Sequence, residues 1–218
     1  MSLRLSGMQQ LIFVYPGDLN SPTGGYAYDR RIIAGLKSLG WEIQLIGLGE
    51  GYPFPGPAQA EQAKEQLQRL APGVPMVMDG LALGALPEVA ACVAEHHPLI
   101  ALIHHPLAFE FGLSEEQAAL LKQSENEALR HASGVIANSP ATARDLHRHY
   151  GVPFDRIDVV LPGTDRSVHQ RERSQTTNDN HNVVRLLSVG SIIPRKGFHD
   201  LLAALAPLAD LPWTLSIA

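Results

Sequence analysis

The chain has 218 residues, 45% hydrophobic and 18% charged, which excludes a disordered polymer and leaves material for one large packed core or one and a fraction. A formal net charge of -5, with 10 histidines counted neutral, excludes a general nucleic-acid binder, which needs a basic face; a local basic pocket remains compatible with it. The single cysteine, Cys92, excludes an internal disulfide and any CxxC metal pattern, and reads as a small buried residue.

Met1 to Gln10 is mixed in character and lacks an apolar h-region, so no signal peptide is expected. Met8 is an alternative start. No apolar run reaches the roughly 18 residues of a membrane span, and a cytoplasmic protein is the expectation.

Short apolar runs then alternate with helical patterns. Leu11 to Tyr15 is β-rich and stops at Pro16-Gly17. After a loop carrying Gly24 and Gly25, Tyr26 to Leu39 places Ile32, Ile33, Leu36 and Leu39 on one helical stripe, with Gly40 at the C-cap position. Trp41 to Leu48 reads as the second strand and Ala58 to Leu70 as the second helix. Val74 to Met78 is the third strand, followed by Asp79 and a helix from Leu86 to Glu95. Leu99 to Ile103 is the fourth, ending at His104-His105-Pro106. Ser114 can cap a long helix to His131, whose first turn holds Glu115 and Glu116. Val135 to Ala137, a helix from Ala141 to Tyr150, and Ile157 to Leu161 complete the series. Strict alternation with strands apolar throughout predicts an α/β fold: a parallel sheet covered on both faces.

Ser167 to Asn182 is polar and reads as an exposed linker. A fresh strand follows from Val183 to Val189, then a turn, a helix from Phe198 to Leu208, and a strand beginning at Trp213. The expected organisation is a first domain over 1–168, a linker over 169–182, and the beginning of a second domain over 183–218. One strand and one helix do not close a domain, so the second is expected to continue past Ala218.

In an open parallel sheet, ligands bind beyond the carboxyl ends of the strands. The residues there are Gly24-Gly25, Asp79, His104-His105, Asn138-Ser139 and Gly163-Thr164-Asp165. The glycines permit close backbone approach to an anion, although their spacing is not that of the dinucleotide fingerprint, and a plain turn explains them equally well. His104 and His105 can hydrogen-bond a sugar or act as a base; no carboxylate stands at zinc spacing, so no metal is expected. Arg195 and Lys196 sit at a strand-to-helix turn, which suits a phosphate or diphosphate, or is a solvated turn with two charges.

The run VGSIIPRKGFHDLLAAL, 189–205, resembles the start of the donor domain in family-4 glycosyltransferases of the GT-B fold, whose usual form is G-R-x-x-x-x-K-G before an apolar helix. Thr23-Gly-Gly-Tyr26, a strand ending in His104, Val135-Ile-Ala-Asn-Ser139, and Val159-Val-Leu-Pro-Gly-Thr-Asp165 agree with the family in order, the last resembling its P-N-G-V-D signature. The resemblance implies a Rossmann-like, doubly wound N-terminal domain with a truncated second domain. It implies transfer from a nucleotide sugar to an acceptor that is a sugar, a lipid or a small molecule, with retention, without metal and without cofactor. A peripheral membrane contact stays open, and no nucleic-acid partner is implied.

On that resemblance Lys196 falls on the family's diphosphate-binding Lys, while Ser191 stands where the family has Arg and the adjacent Arg195 is the candidate to replace it. Gly24 and Gly25 match the glycine loop near the diphosphate; His104 is the candidate catalytic residue; His105, Asn138 and Ser139 are candidates for the acceptor cleft. The family's acidic donor clamp lies farther downstream, so these 218 residues alone are expected to be a poor enzyme. A GT-B sugar-nucleotide epimerase and a non-catalytic Rossmann-like binding domain are the competing readings.

Overall fold

The computed structural model describes residues 9–164, 183–190 and 192–218. The expected linker at 169–182, together with Asp165 and Ser191, lies outside the described residues, as does the side chain of Arg195. The chain divides into two compact units, Met1–Gly163 and Thr164–Ala218.

The first unit is α/β. Its strands are β1 (Gln10–Tyr15), β2 (Glu42–Gly47), β3 (Met76–Asp79), β4 (Leu99–Ile103), β5 (Gly134–Ala137) and β6 (Ile157–Val159). Its helices are α1 (Gly24–Ser38), α2 (Pro57–Gln68), α3 (Gly80–Leu83), α4 (Pro87–Ala94), α5 (Glu115–His131) and α6 (Pro140–Tyr150). The strands form one sheet in the order β2-β1-β3-β4-β5-β6, and every pair is parallel.

The central strands β1, β3, β4 and β5 are almost wholly apolar because alternate residues meet two different cores, whereas the edge strands β2 and β6 carry Glu42, Gln44 and Asp158. In β1, Ile12 and Val14 join Met76, Met78, Leu99 and Ile103 on one face, packed under Leu67 of α2, Val93 of α4, Leu129 of α5 and Leu146 of α6. Leu11 and Phe13 point the other way, with Val77 and Leu102, onto Tyr28 and Ile33 of α1. Phe13, Leu67 and Leu146 are buried.

Local chemistry sets the ends. Ser114 caps α5 in a capping box with Gln117, as its position suggested, and the left-handed Gly151 (φ 68°) ends α6. β3 starts at Met76 rather than Val74, since Pro75 has no N–H to give the ladder. Asp79, expected only as the end of β3, also caps a short helix, α3, which the sequence did not reveal: its carboxylate accepts the Leu81 N–H at 2.7 Å.

The second unit pairs β7 (Val184–Ser188) in parallel with β8 (Trp213–Ile217), and α7 (Phe198–Leu205) lies between them in sequence. The helix was expected to run to Leu208; Pro207 turns its last residues, Ala206–Leu208, into a 3₁₀ turn. No helix among the described residues is long and apolar enough to cross a membrane.

Candidate functional site

The chain leaves β1 toward β2 on one side and later returns to place β3 on the other, so the strand order reverses between β1 and β3. Open α/β sheets bind ligands in the crevice beyond the carboxyl ends at such a point. A cleft of about 240 Å³ lies there, lined by Thr23, Gly25 and Tyr26 at the start of α1, Asp79 at the end of β3, and His104 and His105 after β4. Leu81, Leu107 and Glu110 complete its wall. Ligand sites for whole drug-sized molecules run to ~300–1,000 Å³, so this cleft has room for part of such a ligand.

The floor is a trio of ionisable groups. His104 Nε2 lies 2.9 Å from Asp29 Oδ1 and 3.6 Å from Asp79 Oδ2. The ring meets Tyr28 edge-on, with centroids 5.3 Å apart, and the Tyr28 hydroxyl donates to the Val160 carbonyl at 2.9 Å. Asp29 is fully buried on the inner face of α1. Sequence reading missed it, because one Asp in an otherwise apolar stripe looks like a boundary residue until β4 brings His104 against it.

Burial pushes the Asp79 carboxyl well above the ordinary carboxylate range, and the nearby charge of Asp29 adds to this; His104 and the Leu81 N–H only partly oppose it. Burial alone would lower the His104 imidazole, but the hydrogen bond and charge of Asp29, with the charge of Asp79, carry it above its usual value. Burial and the surrounding carboxylates push Tyr26 up to about 12, so its hydroxyl stays protonated and donates to the Pro16 carbonyl at 2.7 Å.

One donor atom from each of Asp29, Asp79 and His104 falls within 4.8 Å of the others, the one such group found among the described residues. Its shortest gap is filled by a hydrogen bond, so in this geometry the trio shares protons.

The structure brings Gly25, His104 and His105 together and treats the other candidates differently. A Cβ on Gly25 would stand 3.3 Å from His104 Cδ2, so this glycine makes room for the imidazole while it lines the cleft. A Cβ on Gly24 would meet nothing within 4 Å, and Gly24 does not line the cleft. His105 Nε2–H donates to the Phe109 carbonyl at 3.1 Å, which folds the loop after β4 back on itself.

Asn138 and Ser139, expected in the same cleft, lie at the same sheet edge but do not line it. Ser139 Oγ accepts the Thr142 N–H at 3.1 Å as the N-cap of α6, and Thr142 Oγ1 donates to Asn138 Oδ1 at 3.1 Å. Both side chains are therefore engaged in holding the start of α6. Ser139→Ala is expected to cost about 1 kcal/mol, as loss of an N-cap does. Urea unfolding of the variant checks this; unchanged stability would show that the cap contributes nothing.

In the second unit, residues 194–196 form a 3₁₀ turn that ends at Gly197 in the left-handed region (φ 63°) and leads into α7. A Cβ on Gly190, just past β7, would lie 3.6 Å from Lys196 Cδ and Cε, an ordinary contact, so the lysine stem runs beside this glycine.

The family model described as Glycosyltransferase Family 4 matches residues 52–168, more than half of the chain, a span that includes His104, His105, Asn138 and Ser139. Two curated relatives are D-inositol 3-phosphate glycosyltransferases. The one from Paenarthrobacter aurescens (strain TC1) is 43% identical over 47 residues, 22% of this chain and 12% of its own. The one from Arthrobacter sp. (strain FB24) is 51% identical over 37 residues, 17% of this chain and 9% of its own. Among solved structures, the apo lipopolysaccharide outer core galactosyltransferase WaaB aligns with a TM-score of 0.62 at 13% identity, over 95% of this chain and 60% of its own. A glycosyltransferase from Rickettsia africae ESF-5 aligns with a TM-score of 0.61 at 14% identity, over 96% and 68%. At these identities the structures speak for the fold, and the chain spans about three fifths of the first and two thirds of the second.

Proposed function

Because the chain belongs to glycosyltransferase family 4, we propose that the protein transfers a hexosyl group from a nucleotide-sugar donor to an acceptor, which is a sugar, a lipid or a small molecule, in the cytoplasm. In this reading the reaction proceeds with retention at the anomeric carbon and without a metal ion. The observation that carries it is the cleft at the strand-order reversal, where His104, fixed against two buried carboxylates, meets the start of α1. A sugar-sized group fits such a volume, and the polar atoms of Thr23, His105 and Glu110 offer donors and acceptors for hydroxyls.

Transfer from a nucleotide sugar leaves a diphosphate, whose developing charge must be met. Lys196 is proposed for that task in the second unit, on a 3₁₀ turn with its stem beside Gly190. A fixed ammonium of this kind does the work that a divalent cation does elsewhere.

The test uses the protein in its natural full length with a panel of UDP-, GDP-, ADP- and dTDP-sugars. Release of nucleoside diphosphate that rises with a glycosyl acceptor, survives EDTA, and yields a product with the donor's anomeric configuration by NMR is the expected result. Conversion of the nucleotide sugar into its epimer without release would favour the epimerase reading. Binding without any turnover across the panel and an acceptor library would reject transfer in favour of a binding module.

A further inference from the structure

Helix α1 commits a charged residue to a place where the fold has no solvent to offer it. Asp29 is 0% exposed between the apolar residues Tyr28 and Ile33. An isolated buried carboxylate costs several kcal/mol, so such a group persists where it has a partner. One oxygen, Oδ1, meets His104 Nε2 at 2.9 Å; the other, Oδ2, is out of solvent with no hydrogen-bond partner beyond its neighbours in the trio. Asp79 approaches the same edge of the ring from β3, and its own Oδ1 is held by the Leu81 N–H, so it cannot swing away. Tyr28 closes the ring from the side, and Gly25 keeps clear the space beneath it.

We propose that Asp29 is the positioning residue of the cleft: together with Asp79 it pins the Nε2 edge of His104, so that His104 serves as a fixed positive group at the cleft wall and not as the base that takes a proton from an acceptor. The inference rests on the transfer reading above and assigns the protonation of its central residue. A general base must bring an unprotonated nitrogen within about 2.6–3.2 Å of the proton it removes. Nε2 has its proton directed at Asp29, and Nδ1 is buried and unpartnered on the far side of the ring. Neither nitrogen offers a lone pair to an incoming hydroxyl. An imidazolium hydrogen-bonded to Asp29, with the Asp79 carboxyl beside it, instead contributes positive charge at the cleft wall.

The groups that face the ring are few. Asp29, Tyr28 and Tyr26 come from α1, Asp79 from β3, and His105 and Glu110 from the loop after β4. Tyr26 stays neutral through the physiological range, so the carboxylates of Asp29 and Asp79 set the state of His104.

The test is a nitrogen-15 NMR titration of the histidine side chains in the native chain and in Asp29→Asn, with His104 assigned by His104→Gln. In the native chain the two His104 nitrogens should keep the near-equal shifts of an imidazolium to higher pH than those of a free histidine, and the midpoint should fall in Asp29→Asn. Asp79→Asn should lower it by less. A native His104 that shows the split shifts of a neutral ring at pH 6.5 overturns the proposal, whether or not any variant folds. A midpoint unmoved by Asp29→Asn overturns it as well.

In the full-length protein, with the nucleotide sugar that the panel identifies, Asp29→Asn should lower kcat roughly 10- to 100-fold with little change in KM, as loss of orientation does. Asp29→Glu should restore part of the loss and part of the titration midpoint. If no nucleotide sugar turns over, the transfer reading fails while the NMR result still decides the state of His104.

Discussion

Replacing Glu125 with glutamine should stabilise the first unit by up to about 3 kcal/mol at pH 8 and change it little below pH 4.5. Glu125 is fully buried on α5. Burial pushes its carboxyl from 4.5 up to about 7; the Tyr150 hydroxyl and the Leu107 N–H pull the other way and do not prevail. Only the Leu107 N–H makes a well-formed bond, to Oε2 at 3.0 Å, and Oε1 is left without one. The sign follows from linkage. Below 4.5 both folded and unfolded chains hold the proton, and burial carries no charge penalty. Between 4.5 and 7 the unfolded chain releases the proton while the folded one keeps it, so stability falls as pH rises, and above 7 the loss is complete. A glutamine accepts from Leu107 through its carbonyl and can donate to Tyr150 through its amide, with no charge to desolvate. Urea unfolding of E125Q and the native chain at pH 4, 6 and 8 checks this: curves that stay parallel across the range would mean that the buried carboxyl titrates normally. Leu107 lies on the wall of the cleft, three residues past His104, so this bond also anchors the loop that carries the site.

The fold was legible where one local signal dominated. β4 begins and ends, and β8 begins, where the sequence suggested: each follows a proline, and β4 is an apolar run that stops at His104. Boundaries slipped where backbone chemistry intervened, as at Pro75 and Pro207. The parallel, doubly covered sheet followed from central strands with no polar face, and the two separate cores on Ile12 and Phe13 are the physical form of that pattern.

The site was less legible because its chemistry is assembled across the chain. His104 stood out as a polar residue directly after a buried strand. Asp29 lies 75 positions away in sequence, and nothing around it says that its helix face will be closed over. Glu125 was hidden likewise, within a helix whose other acids are mostly exposed. Asn138-Ser139-Pro140 looked like a ligand loop; followed by an apolar helical pattern, it is as well read as an N-cap with Pro in the first turn, and the side chains are engaged that way. Position 25 both lines the cleft and makes room for the protein's own histidine, a contact that no local pattern announces.

Lys196→Ala, made in the full-length protein, is expected to lower turnover of the nucleotide sugar more than tenfold while weakening its binding less. The ammonium is exposed at the end of a stem packed along Gly190, on a turn fixed by the left-handed Gly197 and by the Lys196 N–H to Ile193 and Gly197 N–H to Pro194 bonds, both 3.0 Å. Asp200 already occupies the first turn of α7, so the lysine rather than the helix terminus is the cation on which the expectation rests. A charge-assisted contact to phosphate contributes roughly 1.5–3 kcal/mol, and each 1.36 kcal/mol is a factor of about ten in rate. Part of that contact strengthens only as the bond to the sugar breaks and charge builds on the diphosphate, which is why kcat should fall further than affinity. Arg195→Ala, measured beside it, asks whether the neighbour stands in for the arginine that family members carry at the position of Ser191. A loss comparable to that of the Lys196 variant would mean that two cations share the charge, and a small one would leave Lys196 to hold it alone. Steady-state kinetics with the Kd of the unreactive nucleoside diphosphate measured alongside separate the two effects. Near-native turnover in Lys196→Ala would make the turn an ordinary solvated one and remove the diphosphate from this part of the protein.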